Sequence, residues 1–339
     1  MQDNQIKLAG SVPGARLRDN HNRPITYLRL SVTDRCNLRC RYCRPAEGVP
    51  FIPHAEILTY EELEYLTTIF CSLGVSKVRV TGGEPFARKG CMAFLQRLKN
   101  IQGLHHLYIT TNGVEICQYL DELADLGIDG INLSLDTLDY RRFRYITRRD
   151  NFEEVIQTLE GIVERKIPLK INSVVLTDTT DDEIARLAGF SQYFPISVRF
   201  IEQMPFSGEP APEKLVNGHL VQRLKKIFPA LEEQPGQTPS TARIFSLPGF
   251  ESTIGVIQGY SRIFCKSCNK VRITPVGMLK TCLYDNGVLD LKKMLRTGAD
   301  DGEIKSAIFK CIKNRCVNGY EAEKIADRIV EPSMANIGG

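Results

Sequence analysis

The chain has 339 residues, of which 42% are hydrophobic and 25% charged, a composition typical of a globular protein with one core or a core and a second domain. Its 44 basic and 40 acidic residues leave a net charge of +4, too small to indicate a nucleic-acid partner, although a local pocket for an anion is allowed. No apolar run reaches the roughly 20 residues of a membrane span, and the N-terminus lacks a signal-peptide core. We therefore expect a cytoplasmic protein without a membrane partner.

Through the first two-thirds of the chain, strand-like runs alternate with amphipathic helix-like runs. Such alternation predicts a parallel sheet with right-handed crossovers, and six units are too few to close an eight-fold barrel. The predicted fold class is therefore α/β, a partial (βα)6 TIM-like barrel. Its strands are expected at residues 25–32, 77–80, 107–110, 130–135, 169–176 and 197–201, and its helices at residues 60–73, 89–100, 114–126, 140–147, 151–165 and 180–193.

The alternation breaks at Met204, and the next residues, 205–212, are rich in Pro, Gly and Ser and predict a linker. We therefore expect two domains, a barrel at residues 1–204 and a C-terminal α+β region at residues 205–339. The second region is expected to hold helices near residues 214–228, 289–295 and 301–315, strands near 241–246 and 255–258, and a mobile end at 331–339.

Charged side chains interrupt three of the predicted strands, at Arg79, Lys170 and Arg199. Polar residues at strand ends can simply begin loops, but a loop does not explain a charge inside a strand. Active sites of parallel barrels lie at the carboxyl ends of their strands. The sequence therefore predicts a functional site that these cations line.

Eleven cysteines, an odd number in a large chain, argue against a disulfide framework and favour metal binding. Cys36, Cys40 and Cys43 follow the first strand with C-x3-C-x2-C spacing. Three thiolates this close can hold a [4Fe–4S] cluster and leave its fourth iron open to a chelating substrate such as S-adenosylmethionine. A zinc site with a fourth ligand from elsewhere is the alternative, but zinc sites favour a C-x2-C pair.

A second group, Cys265, Cys268 and Cys282, again offers three ligands. Zinc is a stronger alternative here, because Cys265 and Cys268 form a C-x2-C half-site that Cys311 or Cys316 could complete. The residue types alone leave the cluster and the zinc site equally open.

Two cations follow the second cysteine pair, Lys270 and Arg272. Strand alternation places both on one face, where they suit a phosphate group. Their position favours a functional site over a zinc scaffold.

The first cysteine group, with Tyr42 before its last cysteine, resembles the radical S-adenosylmethionine superfamily, and the turn Gly82-Gly83-Glu84-Pro85 after the second strand agrees with it. The resemblance implies reductive cleavage of S-adenosylmethionine to a 5′-deoxyadenosyl radical, with this turn holding the amino end of the methionine moiety. Glycine permits close approach of the backbone to a ligand, and the exposed backbone or Glu84 can accept a hydrogen bond from an ammonium group.

From about Arg18 to Gly339 the sequence resembles one branch of that superfamily, the GTP 3′,8-cyclase (MoaA) family of molybdenum cofactor biosynthesis. The resemblance implies a lyase in which the radical takes the ribose 3′ hydrogen of GTP and the ribose carbon attacks guanine C8, giving 3′,8-cyclo-7,8-dihydro-GTP, the first step of molybdopterin biosynthesis. The segments that carry it are RLSVTDRC (29–36), KVRVTGGEP (77–85), TTNG (110–113), NLSLD (132–136), ITRRD (146–150), VRFIE (198–202) and the terminal IGG (337–339).

Cofactors, partners and site residues also follow from this resemblance. It implies two [4Fe–4S] clusters, of which the second contacts guanine through its open iron. The implied partners are GTP, S-adenosylmethionine, an external electron donor and the downstream cyclic pyranopterin monophosphate synthase. The chain is expected to be a monomer or a homodimer. The implied GTP contacts are Arg29, Lys77, Arg79, Thr110, Lys170, Arg199, Lys270, Val271 and Arg272; the implied S-adenosylmethionine contacts are Tyr42, Gly83, Ser134 and Met204; and the tail residues Gly338 and Gly339 are implied to act in catalysis.

Two positions depart from the family pattern, since Lys270 stands where many members have Arg, and Arg44 where Met is usual. Lysine cannot form the bidentate fork of arginine, so contacts to a triphosphate or ribose differ there.

Two rival functions are a peptide-modifying radical enzyme with an auxiliary cluster, which usually carries more C-terminal cysteines, and an electron-transfer or zinc-scaffold protein, which needs four ligands per site.

Overall fold

The computed structural model describes residues 16–204, 219–235, 240–259, 262–326 and 334–337, and the strands of these residues form one sheet. In chain order the strands are β1 Tyr27–Ser31, β2 Lys77–Thr81, β3 His106–Thr111, β4 Gly130–Ser134, β5 Leu169–Val175, β6 Ser197–Glu202, β7 Glu232–Gln234, β8 Arg243–Ser246, β9 Ile254–Ile257, β10 Lys270–Ile273, β11 Met278–Lys280 and β12 Leu289–Asp290. Their order across the sheet is β12-β11-β10-β1-β2-β3-β4-β5-β6-β9-β8-β7.

Strands β1 to β6 pair in chain order and all in parallel, with helices in each connection, which confirms the predicted partial barrel. Two of these connecting helices begin at capping boxes, in which the Thr59 or Thr180 side chain accepts from a backbone N–H of the first turn. The α-helices are α1 Tyr60–Ser72, α2 Cys91–Lys99, α3 Leu120–Asp125, α4 Tyr140–Thr147, α5 Phe152–Glu164, α6 Asp181–Tyr193, α7 His219–Ile227, α8 Leu291–Arg296, α9 Asp301–Lys313, α10 Gly319–Ile325 and α11 Met334–Ile337.

The two faces of the barrel strands have different roles, as β5 shows. Leu169, Ile171 and Val175 are buried in the hydrophobic core, whereas Lys170 and Asn172 between them are only partly buried. Because successive side chains of a strand point to opposite faces, one face of the sheet packs in the core and the other faces the barrel interior. Interior positions are therefore the ones that can build a site.

Strands from the second region extend the barrel sheet at both of its ends. β10 pairs with β1 and β9 with β6, both in parallel, while β11 and β8 continue the sheet in antiparallel pairing. One sheet thus includes strands from both sides of the predicted boundary at 204, and the division into two domains stays a prediction. The predicted linker, 205–212, and the predicted mobile end apart from residues 334–337 lie outside the described residues.

The helices also bear on whether the chain could cross a membrane. Within the described ranges, none of them is both long enough and apolar enough to span a bilayer.

Candidate active site

One cavity of about 480 Å³ lies along the inner face of the barrel strands. Its lining extends from Tyr27 and Lys77 at the start of β1 and β2 to Thr81 and Ser134 at the ends of β2 and β4. All six cysteines of the two predicted groups line it, together with seven of the predicted basic residues. These are Cys36, Cys40, Cys43, Cys265, Cys268 and Cys282, with Arg29, Lys77, Arg79, Lys170, Arg199, Lys270 and Arg272.

The first cysteine group lies on the loop after β1, and Cys36, Cys40 and Cys43 are all free thiols. The loop turns back on itself where the Cys43 N–H donates to the Cys40 carbonyl at 2.9 Å. Asn112, just beyond β3, donates from Nδ2 to Asn37 Oδ1 at 2.7 Å, and the same nitrogen lies 3.5 Å from Cys36 Sγ. The end of β3 therefore helps to fix the loop that carries the three sulfurs.

The two glycines after β2 pack against the backbone that leads into this cysteine loop. The Gly83 N–H donates to the Thr33 carbonyl at 2.6 Å, and a Cβ on Gly83 would lie only 2.3 Å from the Arg35 carbonyl oxygen. A Cβ on Gly82 would lie 2.7 Å from the Thr33 oxygen. Glycine is required here because backbone meets backbone, and Gly83 in addition lines the cavity.

Glu84, the next residue, is fully buried and is absent from the cavity wall. Its carboxylate accepts hydrogen bonds from the Asn112 N–H at 2.7 Å, the Thr111 hydroxyl at 2.9 Å and the Phe86 N–H at 3.2 Å. Burial raises the pKa of Glu84 to about 7, although these hydrogen bonds oppose the rise. Of the two acceptors expected for a ligand ammonium group, the Glu84 side chain instead joins the turn to the end of β3, and the backbone of the turn stays a prediction.

The four residues expected to contact S-adenosylmethionine all line the cavity. Among them, Tyr42 donates from its hydroxyl to Asp136 Oδ2 at 2.9 Å, and the other oxygen of Asp136 accepts from the Val174 N–H at 2.7 Å. Burial raises the pKa of Asp136 to about 6 despite both hydrogen bonds. This network fixes the Tyr42 ring beside the first cysteine group. The four residues are Tyr42, Gly83, Ser134 and Met204.

The second cysteine group combines two loops. Cys265 lies in a short 3₁₀ helix and Cys268 follows it, whereas Cys282 follows β11. Asp285 Oδ2 accepts from the Cys282 N–H at 2.7 Å, which orders that loop. Cys268 Sγ accepts a hydrogen bond from Arg315 Nη2 at 3.1 Å. Sequence reasoning missed this arginine, because it lies far along the chain at the end of a helix.

The two cysteines considered as a fourth ligand differ in position. Cys316 lines the cavity, whereas Cys311 lies at 3.7 Å from the Val288 carbonyl and is outside the lining. Across the part of the chain that the structure describes, no three His, Cys, Asp or Glu side chains converge on a place that could hold a single metal ion. A four-iron cluster binds each cysteine at a different iron atom, so it accepts sulfurs that lie farther apart.

The chemistry of both donor sets fits a cationic iron–sulfur group. Burial, with Glu84 as the next cause, raises the pKa of Cys36 to about 12. Burial likewise raises the pKa of Cys282 to about 12, with Asp285 adding to the rise. A thiolate at Cys36 or Cys282 therefore requires a strong positive charge beside it, which the iron of a cluster would supply.

The basic residues form neighbouring pairs across the parallel strands. Arg29 on β1 lies opposite Arg79 on β2 and Arg272 on β10, so three arginines occupy adjacent positions. Burial, followed by repulsion from Arg272, lowers the pKa of Arg29 to about 9. Burial, followed by repulsion from Arg199, lowers the pKa of Lys170 to about 8. The mutual repulsion of these cations favours an anionic ligand in the cavity.

Lys170 and Arg199 provide the sharpest indication of such a ligand. Within the described residues, neither side chain has a carboxylate partner, and the buried Nε of Arg199 has no hydrogen-bond acceptor. A buried donor without an acceptor costs about 1–3 kcal/mol, and more when it is charged. An anion that accepts from Arg199 would remove this cost.

Tyr27 is a site residue that sequence reasoning missed. Its hydroxyl oxygen accepts from Arg79 Nε at 2.5 Å, and its ring centroid lies 5.0 Å from Lys77 Nζ and 5.5 Å from Lys270 Nζ. Its spacing in the sequence could have identified it, because Tyr27 stands two residues before Arg29 and therefore shares the same face of β1.

Of the two predicted GTP contacts that are not basic residues, Thr110 and Val271, one lines the cavity and the other does not. Thr110 lines the cavity and accepts from Arg79 Nη1 at 3.3 Å. Val271 is fully buried in the hydrophobic core and is absent from the cavity wall, because strand alternation turns it away from Lys270 and Arg272. The Val271 side chain therefore does not face the cavity, and its expected GTP contact stays a prediction. Gly338 and Gly339 lie outside the described residues.

Comparisons with known proteins give two family matches and several close relatives. The chain matches the Radical SAM superfamily over residues 30–190 and Molybdenum Cofactor Synthesis C over residues 196–320. It is 39% identical over 307 residues to the GTP 3′,8-cyclase of Thermodesulfovibrio yellowstonii, with 87% of this chain and 93% of that protein covered. It is 38% identical over 327 residues to the GTP 3′,8-cyclase of Desulforamulus reducens, with 95% and 99% covered.

One mammalian relative is much longer. The chain is 39% identical over 297 residues to molybdenum cofactor biosynthesis protein 1 of Bos taurus, with 87% of this chain but 47% of that protein covered. The chain therefore spans about half the length of this curated relative. Among solved structures, Streptococcus suis SuiB bound to S-adenosylmethionine has a TM-score of 0.58 at 16% identity, over 84% of this chain and 68% of that one, which shows a shared fold.

Proposed function

The chain belongs to the GTP 3′,8-cyclase family, and from this premise we propose that it is a radical S-adenosylmethionine enzyme that converts GTP to 3′,8-cyclo-7,8-dihydro-GTP. The observation that carries the proposal is the single cavity shared by two cysteine groups and seven basic side chains. A radical formed beside one group has to reach a ribose held nearby, and a shared cavity allows this without release of the radical to water.

Each cysteine group would hold one [4Fe–4S] cluster through three protein ligands and leave one iron for a substrate, S-adenosylmethionine at the first cluster and guanine at the second. With both clusters bound, one electron would cleave S-adenosylmethionine to methionine and a 5′-deoxyadenosyl radical that would remove the ribose 3′ hydrogen. The ribose carbon would then join guanine C8, and a second electron and a proton would convert the resulting nucleotide radical to 3′,8-cyclo-7,8-dihydro-GTP. The proposed ligands are Cys36, Cys40 and Cys43 for the first cluster and Cys265, Cys268 and Cys282 for the second.

The basic side chains would bind the triphosphate. A triphosphate carries about four negative charges, which matches a set of cations that repel one another when the cavity holds no anion. Among the described residues, Lys170 and Arg199 have no carboxylate partner that would compete with a phosphate group. Arg79 is already oriented by its hydrogen bonds to Tyr27 and Thr110. Fork-like guanidinium groups suit phosphate oxygens, whereas Lys270 would act as a point charge.

S-adenosylmethionine would lie against the first cysteine group. Tyr42, oriented by Asp136, and the backbone of Gly83 form that part of the cavity wall, with Ser134 and Met204. The tail residues Gly338 and Gly339 are proposed to act in catalysis on the strength of the family resemblance, since they lie outside the described residues.

The proposal extends to location and partners. All eleven cysteines are free thiols, which supports a reducing, cytoplasmic location. An external donor would supply the two electrons that each turnover consumes, and a cyclic pyranopterin monophosphate synthase would consume the product. The chain would act as a monomer or a homodimer.

The test is an anaerobic reaction of the reconstituted protein with dithionite, S-adenosylmethionine and GTP that carries deuterium at the ribose 3′ carbon. We expect deuterium in the 5′-deoxyadenosine and one molecule of cyclised nucleotide for each 5′-deoxyadenosine formed. Cys117→Ser, which changes an exposed thiol, is the control and should react normally, whereas Cys36→Ser should not form 5′-deoxyadenosine.

Two outcomes would contradict the proposal in different ways. If the iron-loaded protein forms no 5′-deoxyadenosine, radical chemistry is excluded. If 5′-deoxyadenosine forms while GTP stays intact, the substrate assignment is wrong and a peptide substrate becomes the next candidate.

A further inference from the structure

Arg315 is a buried arginine whose hydrogen-bonding capacity is fully used. It follows α9 and is 4% exposed. Nε donates to the Thr281 carbonyl at 2.9 Å, Nη1 to the Cys268 carbonyl at 2.8 Å and to Asp19 Oδ2 at 3.3 Å, and Nη2 to Cys268 Sγ at 3.1 Å and to the Lys270 carbonyl at 3.0 Å. A guanidinium group has five N–H donors, so each has an acceptor.

These acceptors belong to the segments that build the second half of the cavity. Cys268 is one of the second cysteine group, and Thr281 directly precedes Cys282, another member. Lys270 begins β10, the strand that carries two of the cavity cations. One side chain therefore fixes both cysteine loops relative to the cation-bearing strand.

Arg315 also belongs to a buried group of three charged side chains, together with Asp19 and Arg23. Asp19 accepts from Arg315 and, at 2.6 Å, from Arg23 Nε, so one carboxylate is shared by two guanidinium groups. Arg23 in turn donates to the carbonyls of Cys265 and Cys316 at 2.8 Å each. The three groups together carry one net positive charge behind the second cysteine group.

In the first cysteine group, the sulfur of Cys36 has a different polar neighbour. The neutral side-chain amide of Asn112 lies there, with Nδ2 at 3.5 Å from the sulfur. Cys268 thus differs from Cys36 in having, among the described residues, a cationic hydrogen-bond donor in direct contact with its sulfur.

We propose that Arg315 is a positioning residue that sets the geometry and the reduction potential of the second cluster, through its N–H···S hydrogen bond to Cys268. This inference rests on the proposed function, because it requires a cluster at the second group. A cationic hydrogen bond to a ligand sulfur stabilises the reduced, more negative state of a cluster and so raises its reduction potential. The two backbone bonds to Cys268 and Thr281 keep the ligand loops at the separation that the cluster needs.

The test is a reductive titration of the anaerobically reconstituted full chain, followed by electron paramagnetic resonance. Proteins to compare are the wild type, Arg315→Gln and Arg315→Lys. Arg315→Gln should shift the midpoint of the second cluster to a more negative potential, and Arg315→Lys, which retains the charge but not the fork, should shift it less. The midpoint of the first cluster serves as the internal standard and should stay unchanged.

A matched control is Arg296→Gln, because Arg296 lies at the end of α8 and, like Arg315, donates to backbone carbonyls of another segment, here those of Ala55 and Ile57. It should move neither midpoint. Loss of the second cluster alone from Arg315→Gln, with the first cluster and the circular dichroism spectrum intact, would also support the positioning role.

Three results would overturn the inference or its premise, and they are distinguishable. Unchanged midpoints in both Arg315 variants would overturn the inference while leaving the proposed function standing. Loss of both clusters with unfolding in both variants would show a general structural role and overturn it as well. A wild-type protein with only the first cluster would overturn the proposed second cluster itself.

Discussion

Arg79 donates from Nε to the hydroxyl oxygen of Tyr27 at 2.5 Å, in the middle of the basic residues that line the cavity. Strand register places Tyr27 between Lys270 on β10 and Lys77 on β2. Although burial opposes ionisation, the charges of Arg79, Arg29 and Lys77 lower the pKa of Tyr27 to about 7. A tyrosinate here would neutralise part of the positive charge that an anionic ligand needs.

We therefore expect GTP affinity to fall more steeply between about pH 6 and about pH 8 in the wild type than in Tyr27→Phe. As the pH rises through the pKa, Tyr27 loses its proton and gains a negative charge, which opposes binding; bound GTP conversely favours the protonated phenol. Titration of the GTP phosphate is common to both proteins, so the difference in slope isolates Tyr27. Equilibrium dialysis across this range measures it, and equal slopes would contradict the assignment.

Replacement of Arg199 tests the anionic ligand directly. Arg199→Gln should weaken GTP binding about 10- to 100-fold, because a hydrogen bond to a charged group contributes about 1.5–3 kcal/mol and 1.4 kcal/mol is a factor of ten. Iron content should be unaffected, since Arg199 lies on β6, away from both cysteine loops in the chain.

The control for this experiment is Arg186→Gln, because Arg186 is exposed on α6 and pairs with Asp182 at the surface. Its GTP affinity should equal that of the wild type. An Arg199→Gln protein that binds GTP normally would mean that the triphosphate lies elsewhere.

The glycine turn offers a test of how the first cysteine loop is held. Gly83→Ala would place a methyl group 2.3 Å from the Arg35 carbonyl, so the loop has to move. We expect a loss of about 1–3 kcal/mol in the free energy of unfolding and loss of iron from the first cluster. Thermal unfolding and iron analysis measure the two effects.

Gly189→Ala is the matched control, because a Cβ at Gly189 in α6 would meet no atom within 4 Å beyond its chain neighbours and the backbone of its own helix. Alanine is the better helix former, so this variant should be more stable by about 0.5–1 kcal/mol and retain its iron. If Gly83→Ala retained wild-type stability and iron, the close backbone contact would not be what requires glycine.

The sequence was sufficient to predict the barrel because its six strands and their helices repeat one local pattern. Predicted and observed limits of β2 differ by one residue, for instance, with residues 77–80 expected and Lys77–Thr81 found. Strands β7, β11 and β12 were missed, because two or three residues are too few to show a period. The pairing of β10 with β1 is a long-range contact, which no local pattern encodes.

The residues of the site differed in the same way, because local sequence patterns identify some of them and tertiary contacts alone identify the others. Cysteine spacing identified Cys36 and Cys268 as metal-ligand candidates, and charges inside strands identified Arg199. Arg315 was taken as the end of a helix, because its contacts with Cys268 and Asp19 depend on tertiary folding. Val271 entered the GTP set through family resemblance alone, whereas strand alternation turns it into the core.

The central claim, that each cysteine group holds a cluster with one iron open to its own substrate, is tested most directly by Mössbauer spectroscopy of two variants. In one, Cys36, Cys40 and Cys43 are replaced by serine; in the other, Cys265, Cys268 and Cys282. We predict about eight irons in the wild type and about four in each variant. S-adenosylmethionine should perturb only the spectrum of the cluster at the first group, and GTP only that of the cluster at the second. Zinc at either group, or spectra that neither substrate changes, would contradict the claim.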